Sequence, residues 1–209
     1  MPASLESVNT GVVRPVPWGT LRRSGIDKRP VAGPVLVGET GLDGDGIADT
    51  QHHGGRDQAV YAYAREDLDD WGRELGRQLP AGTFGENLTT LGLDVQGARL
   101  GECWTIGDVV LQVSGVRIPC SVFQGFLDEP RWVRRFTERG VPGAYLRVLQ
   151  GGRISAGDRV DVTSRPAHEL TVGHAFRALT TERGLLPGLA EEPAISGAIR
   201  RAVDARRND

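Results

Sequence analysis

GECWTIGDVVLQVSGVRIPCSVFQGF, residues 101–126, decides the class of fold. Residues 109–113, VVLQV, are a short β-branched run of the kind that builds strands, and the GECWTIGD stretch before it alternates in polarity as a half-buried strand does. The strand must stop at Pro119, because proline lacks an amide hydrogen and fixes its own backbone. Cys120 is thereby held at a strand end, a defined place for a thiol, with Arg117 three residues before it. A guanidinium close by favours the thiolate, the form that attacks electrophiles and binds soft metals. The same cysteine also fits a small buried hydrophobe. Cys103, inside the alternating strand, reads as ordinary filling.

Outward from this stretch the pattern repeats. VLVGE at 35–39, AVYAY at 59–63, AYLRVL at 144–149 and RVDV at 159–162 are further short strands, punctuated by many of the chain's 29 glycines and 12 prolines. Frequent turns between short strands predict a barrel or sandwich. Two helices interrupt it. In REDLDDWGRELGRQL, Leu68, Trp71, Leu75 and Leu79 share a face; in DEPRWVRRFTERG, Pro130 suits a first turn, Trp132 and Phe136 share a face, and Gly140 supplies the stop.

Composition changes after Ser164-Arg165-Pro166. Val172, Ala175, Phe176 and Leu179 form one helical stripe, and Ile195, Ala198, Ile199 and Ala202 another. The expected class is mainly β (α+β), with a barrel domain over 1–165, including an N-terminal arm, and a helical domain over 166–209. So short a tail cannot easily bury a core alone, so it should pack on the barrel or on another subunit. Its Arg200, Arg201, Arg206 and Arg207 have aspartates among them and fit a solvated face as well as a phosphate contact.

A net charge of −2 over 209 residues argues against a nucleic-acid binder. The N-terminus lacks a signal-peptide pattern and no segment approaches the ~20 apolar residues of a membrane span, so the expectation is a cytoplasmic protein that engages no membrane. Two cysteines are too few for a disulfide framework or a four-cysteine cluster. Redox chemistry would therefore need a cofactor or a partner.

Three further segments carry candidate chemistry. SGIDKRPV, residues 24–31, holds Lys28, the chain's one lysine. An ammonium is a compact point charge whose pKa moves on burial, which a guanidinium does not offer. In DTQHHGGRDQAVYAY, residues 49–63, His53-Gly54-Gly55-Arg56 can present imidazole, free amides and guanidinium to one anion, or form a plain turn with surface histidines. A zinc site from Asp49, His52 and His53 is disfavoured, since adjacent histidines on an extended segment point apart. GLDGDGIAD, upstream, fails the EF-hand and dinucleotide patterns. FGENLTTLGLD, residues 84–94, offers Gly85, Asn87 and Thr89 for a polar heterocycle or phosphate, or a capped turn.

In order and spacing, GDGIADTQHHGGRDQAVYAY, FGENLTTLGLD, RLGECWTIGDVVLQVSGVRIPCSVFQ and GAYLRVLQGGRISAGDRVDV resemble the MOSC domain, named for the C-terminal region of molybdenum-cofactor sulfurase; the match spans roughly residues 28–163. The tail resembles the small three-helix domain that follows MOSC in YiiM-type proteins. The resemblance implies a β-barrel-like fold binding a molybdenum cofactor, with Cys120 as metal ligand and Cys120, His53 and Lys28 as the catalytic set. It implies reduction of N-hydroxylated compounds such as 6-N-hydroxylaminopurine, with electrons from an external donor protein. Arg56, Arg117, Gly54, Gly55, Gly85, Asn87 and Thr89 are the expected cofactor contacts, with Arg147 weaker. A carrier of the cofactor or of persulfide sulfur, without catalysis of its own, is the alternative, and a degenerate barrel kept as an interaction module is a third.

Overall fold

The computed structural model describes residues 2–50, 53–192 and 195–207. Among the described residues thirteen strands run in chain order: Ser4–Thr10 (β1), Arg14–Pro15 (β2), Arg23–Ser24 (β3), Arg29–Pro30 (β4), Val35–Gly38 (β5), Gly41–Leu42 (β6), Val60–Ala64 (β7), Leu88–Leu91 (β8), Cys103–Ile106 (β9), Val109–Val116 (β10), Ala144–Gln150 (β11), Gly152–Ile154 (β12) and Asp161–Ser164 (β13). Eight of them form one sheet, in the order β13-β9-β10-β11-β7-β8-β1-β4. Its pairings are antiparallel except β7 with β8, whose ends are joined by a helical crossover. The sheet curls until β1 meets the segment leading into β13. Leu5 N donates to Asp158 O at 2.8 Å, Gly157 N to Leu5 O at 2.7 Å, and Val160 N to Ala3 O at 2.9 Å, so the segment leading into β13 closes on β1. That contact covers part of β1 that would otherwise present unpaired backbone groups.

The predicted strands all form. The helices differ in detail. The crossover helix Arg65–Leu75 (α1) starts with Glu66 and Asp67 in its first turn, favourable at the positive end of a helix dipole, and stops at Gly76, whose φ of 64° is the left-handed cap. Leu79 therefore lies beyond the helix, although it is buried with Leu68 and Trp71. Pro130 does not occupy a first turn either: Trp132–Arg139 (α3) begins after Arg131, and Gly140 ends it. Between them lies a helix not read from the sequence, Ser121–Leu127 (α2). Pro119 ends strand pairing, after which Phe123 and Leu127, one helical turn apart, bury one face.

Trp71, Phe84, Phe123, Trp132 and Phe136 are fully buried together under α1 to α3, with Trp71 and Trp132 ring centres 4.5 Å apart. Such rings bury large apolar areas and gain a further ~0.5–1.5 kcal/mol per favourable pair. The tail forms Val172–Thr180 (α4), Leu186–Glu191 (α5) and Gly197–Arg207 (α6). It packs on the barrel: Phe176 meets Phe136 at 6.4 Å, and Val172 N and Gly173 N donate to Ala98 O and Gln96 O. Thr171 caps α4 by accepting from His174 N. Among the described residues no helix is long and apolar enough to cross a membrane.

Candidate functional site

A cavity of about 140 Å³ opens at one end of the barrel, where the ends of β7, β10 and β11 meet the loops before β4 and after β6. Close backbone approach makes it possible. A Cβ on Gly25 would lie 1.9 Å from Gly46 O, so glycine is required where the loop carrying Lys28 crosses the loop carrying Asp45. Gly46 N in turn donates to Gly11 O at 2.7 Å.

Lys28, 9% exposed, lines this cavity and donates to Asp45 Oδ1. The Asp45 carboxylate also accepts from Gly11 N at 2.9 Å and from Asn87 Nδ2 at 2.9 Å. Burial pushes the Lys28 pKa below the ordinary lysine value, and the attraction of Asp45 opposes that shift without cancelling it. Behind Asn87, the wholly buried Glu86 accepts from Gly82 N at 2.6 Å, Phe84 N at 2.9 Å and Thr89 Oγ1 at 2.9 Å, which fixes the turn. Burial raises the Glu86 pKa despite those bonds.

Cys120 is partly buried, lines the cavity and stands at the N-cap of α2 rather than at the end of β10, which stops at Val116. Arg117 enters from the same connection. Its Nη1 donates to Phe84 O at 3.0 Å and its guanidinium lies 4.5 Å from the Phe123 ring centre and 5.0 Å from that of Tyr61, while its Nε is buried without a hydrogen-bond partner. A buried donor left unpaired costs about 1–3 kcal/mol, which offsets part of what the Phe84 bond and the ring contacts contribute.

His53 and Gly54 also line the cavity, and His53 N donates to Asp49 O at 3.0 Å. Of the residues picked out in sequence, Lys28, His53, Cys120, Gly54, Gly85, Asn87 and Arg117 surround this one space. The others stand elsewhere. Arg56 is 77% exposed and pairs with Glu39 at 2.5 Å. Gly55 caps a short turn at Arg56–Gln58 outside the lining, Thr89 is buried against Asn9 and Glu86, and Arg147 pairs with Asp57 at 3.0 Å. His52 falls outside the described residues. Among the described residues no three His, Cys, Asp or Glu side chains are placed to hold a bare metal ion.

Sequence reasoning missed Asp45, Tyr61, Tyr145 and Gln58, all of which line the cavity. Tyr145 stands opposite Tyr61 in the β11–β7 register, ring centres 5.4 Å apart. Burial raises the pKa of both phenols, so they keep their protons at neutral pH. Gln58 Oε1 is a second buried polar atom without a partner.

The donor set fits an anionic cofactor with a soft metal: one thiol, an unpartnered guanidinium nitrogen, and the backbone at Gly85, where an added Cβ would crowd Ile26 and Arg117. The comparisons agree with the fold. A profile of the MOSC domain matches residues 49–161. The chain is 34% identical over 175 residues to the uncharacterized protein YflK of Bacillus subtilis, covering 83% of this chain and 79% of that one. It is 33% identical over 171 residues to protein YiiM of Escherichia coli, covering 80% and 75%. Against a protein of Gibberella moniliformis named reductase it is 31% identical over 194 residues, covering 91% of this chain but only 34% of that one. The crystal structure of YiiM from Geobacillus stearothermophilus superposes with a TM-score of 0.82 at 32% identity, over 98% of this chain and 99% of that one. The chain belongs to the MOSC domain family.

Proposed function

We propose that the protein binds a molybdenum cofactor in the Cys120 cavity and reduces N-hydroxylated compounds, purines among them, to amines. The observation that carries the reading is the convergence of Cys120, Arg117 and Lys28 on one cavity. Cys120 would be the protein's ligand to the metal, and the Arg117 guanidinium, with the backbone near Gly85 and Asn87, would take the anionic pterin phosphate. When bound, the reduced cofactor supplies the two electrons that cleavage of an N–O bond consumes.

The chain's own part is proton supply and exclusion of water. Conversion of R–NHOH to R–NH₂ and water takes up two electrons and two protons. One proton goes to the departing oxygen and one to nitrogen. Lys28 is an ammonium whose acidity burial increases, and His53 is a second proton carrier on the wall. Positioned acids of this kind contribute about 10² to 10⁴ in rate. The electrons come from a separate donor protein. The relative named reductase extends far beyond the region it shares with this chain, which supports a division of labour between this fold and other protein.

The test is expression in a host able to make the cofactor, followed by elemental analysis and turnover of an N-hydroxylated purine with a chemical reductant. Near-stoichiometric molybdenum and amine formation are expected. Zinc in place of molybdenum, or bound molybdenum without turnover, would overturn the enzyme reading. A persulfide on Cys120 by mass spectrometry, with no turnover, would replace it by the carrier.

A further inference from the structure

The Cys120 cavity has a neighbour. A second cavity of about 210 Å³ shares His53, Gln58 and Tyr145 with the first and lies between the barrel and the C-terminal helices. Its floor includes Gly115 and Val116 of β10; its roof is Leu179 of α4 with Ile199 and Ala202 of α6. The first cavity carries the thiol and Lys28, Asp45 and Arg117, whereas this one combines Val116, Ile118, Leu179, Ile199 and Tyr145 with the polar Asp57, Gln58 and Ser196.

Two observations indicate that the space is built rather than left over. A Cβ at Gly115 would meet Ile199 Cδ1 at 3.6 Å and Ser196 Oγ at 3.7 Å, ordinary contact distances, so α6 does not need a glycine beneath it, and the missing side chain leaves room. The shared wall also carries the buried, unpartnered Gln58 Oε1. Next to it, Asp57 ties the wall to the roof: its Oδ2 accepts from Gly197 N at 3.2 Å, its Oδ1 pairs with Arg147 at 3.0 Å, and its carbonyl accepts from Ser114 Oγ at 2.5 Å.

We propose that this second chamber holds the organic body of the substrate, a planar system of one or two fused rings, with its N-hydroxyl group directed past His53, Gln58 and Tyr145 into the Cys120 cavity. The volume falls below the ~300–1,000 Å³ of pockets for drug-sized ligands and suits a small ring system. Aliphatic side chains and Tyr145 line a space for a ring, and the Gln58 side chain on the shared wall would supply the polar contact that orients it. The C-terminal helices would thus be part of the substrate site. The inference rests on the reductase reading for the reacting group, but the binding it predicts does not need the metal.

The test is equilibrium titration of the full, cofactor-free chain with adenine, the amine product of an N-hydroxylated purine. Saturable one-to-one binding is expected. Gln58→Leu, which removes the polar contact, and Ala202→Leu, which fills the chamber from α6, should each weaken it about tenfold or more, with thermal melts confirming that the variants fold. Absence of adenine binding, or binding indifferent to Gln58→Leu in a folded variant, overturns the chamber. Adenine binding by a chain that never retains molybdenum would sink the reductase reading alone, and turnover with adenine binding unchanged in both variants would sink the chamber alone.

Discussion

Asp45 holds Lys28 through one carboxylate oxygen and Asn87 through the other, the latter at 2.9 Å. One acid therefore links the loop before β4 to the turn before β8 at the cavity wall.

Burial lowers the Lys28 pKa, which gives stability a definite pH dependence. Between that lowered value and the ordinary 10.5 the unfolded chain binds more protons than the native one, so stability attributable to Lys28 rises with pH across that window. Lys28→Arg keeps the charge but does not titrate there. The difference in unfolding free energy, wild type minus Lys28→Arg, should increase from neutral pH toward 10, measured by urea denaturation; a flat difference would mean that Lys28 titrates as an ordinary lysine.

Gly25→Ala should break the crossing that brings Lys28 to Asp45, because its Cβ would sit 1.9 Å from Gly46 O, a backbone atom that cannot swing away. A loss of about 1–3 kcal/mol is expected from such overpacking. Gly44→Ala makes a useful contrast: its φ of 79° is strained for alanine, but nothing lies within 4 Å of the added Cβ. Gly25 is not in the left-handed region, so unchanged stability in Gly25→Ala would show that the crossing tolerates a Cβ.

Arg117→Met should separate stability from binding. It removes a buried charge that donates to Phe84 O, and methionine can fill the space between Tyr61 and Phe123. Unfolding free energy of the cofactor-free protein should change by about 1 kcal/mol or less, in either direction, while molybdenum content per chain falls about tenfold or more. A large loss of stability with cofactor content intact would make Arg117 a structural residue.

Cys120→Ser should keep the fold, since the side chain is only partly buried, and shift the unfolding free energy by no more than about 1 kcal/mol. Molybdenum should drop to background in elemental analysis. Retention of metal together with turnover would refute Cys120 as the ligand.

The strands were legible because their periodicity is local: β10 and β11 can be read from a few residues each. The helix α2 was not, because Val122 and Gly125 disfavour a helix locally and its formation is decided by the burial of Phe123 and Leu127 against distant rings. At the site, Lys28, His53 and Cys120 stood out by rarity or by a neighbouring glycine or proline. Asp45 did not, because its partner comes from another loop; a buried lone lysine demands a carboxylate, but the sequence does not say which. Tyr61 and Tyr145 looked like ordinary strand residues, and only the register that sets them side by side turns them toward the cavity. Arg56 shows the converse, a plausible motif member carried outward by a short helical turn.

The meeting of Leu5 with Gly157 and Asp158 has a kinetic meaning. The first strand cannot be matched on that side until nearly all of the barrel has been synthesised, so the last step of folding is a long-range one and should be slow. During synthesis an unfinished barrel exposes an open seam, and any cofactor must be loaded after that seam has been sealed or while it is still ajar.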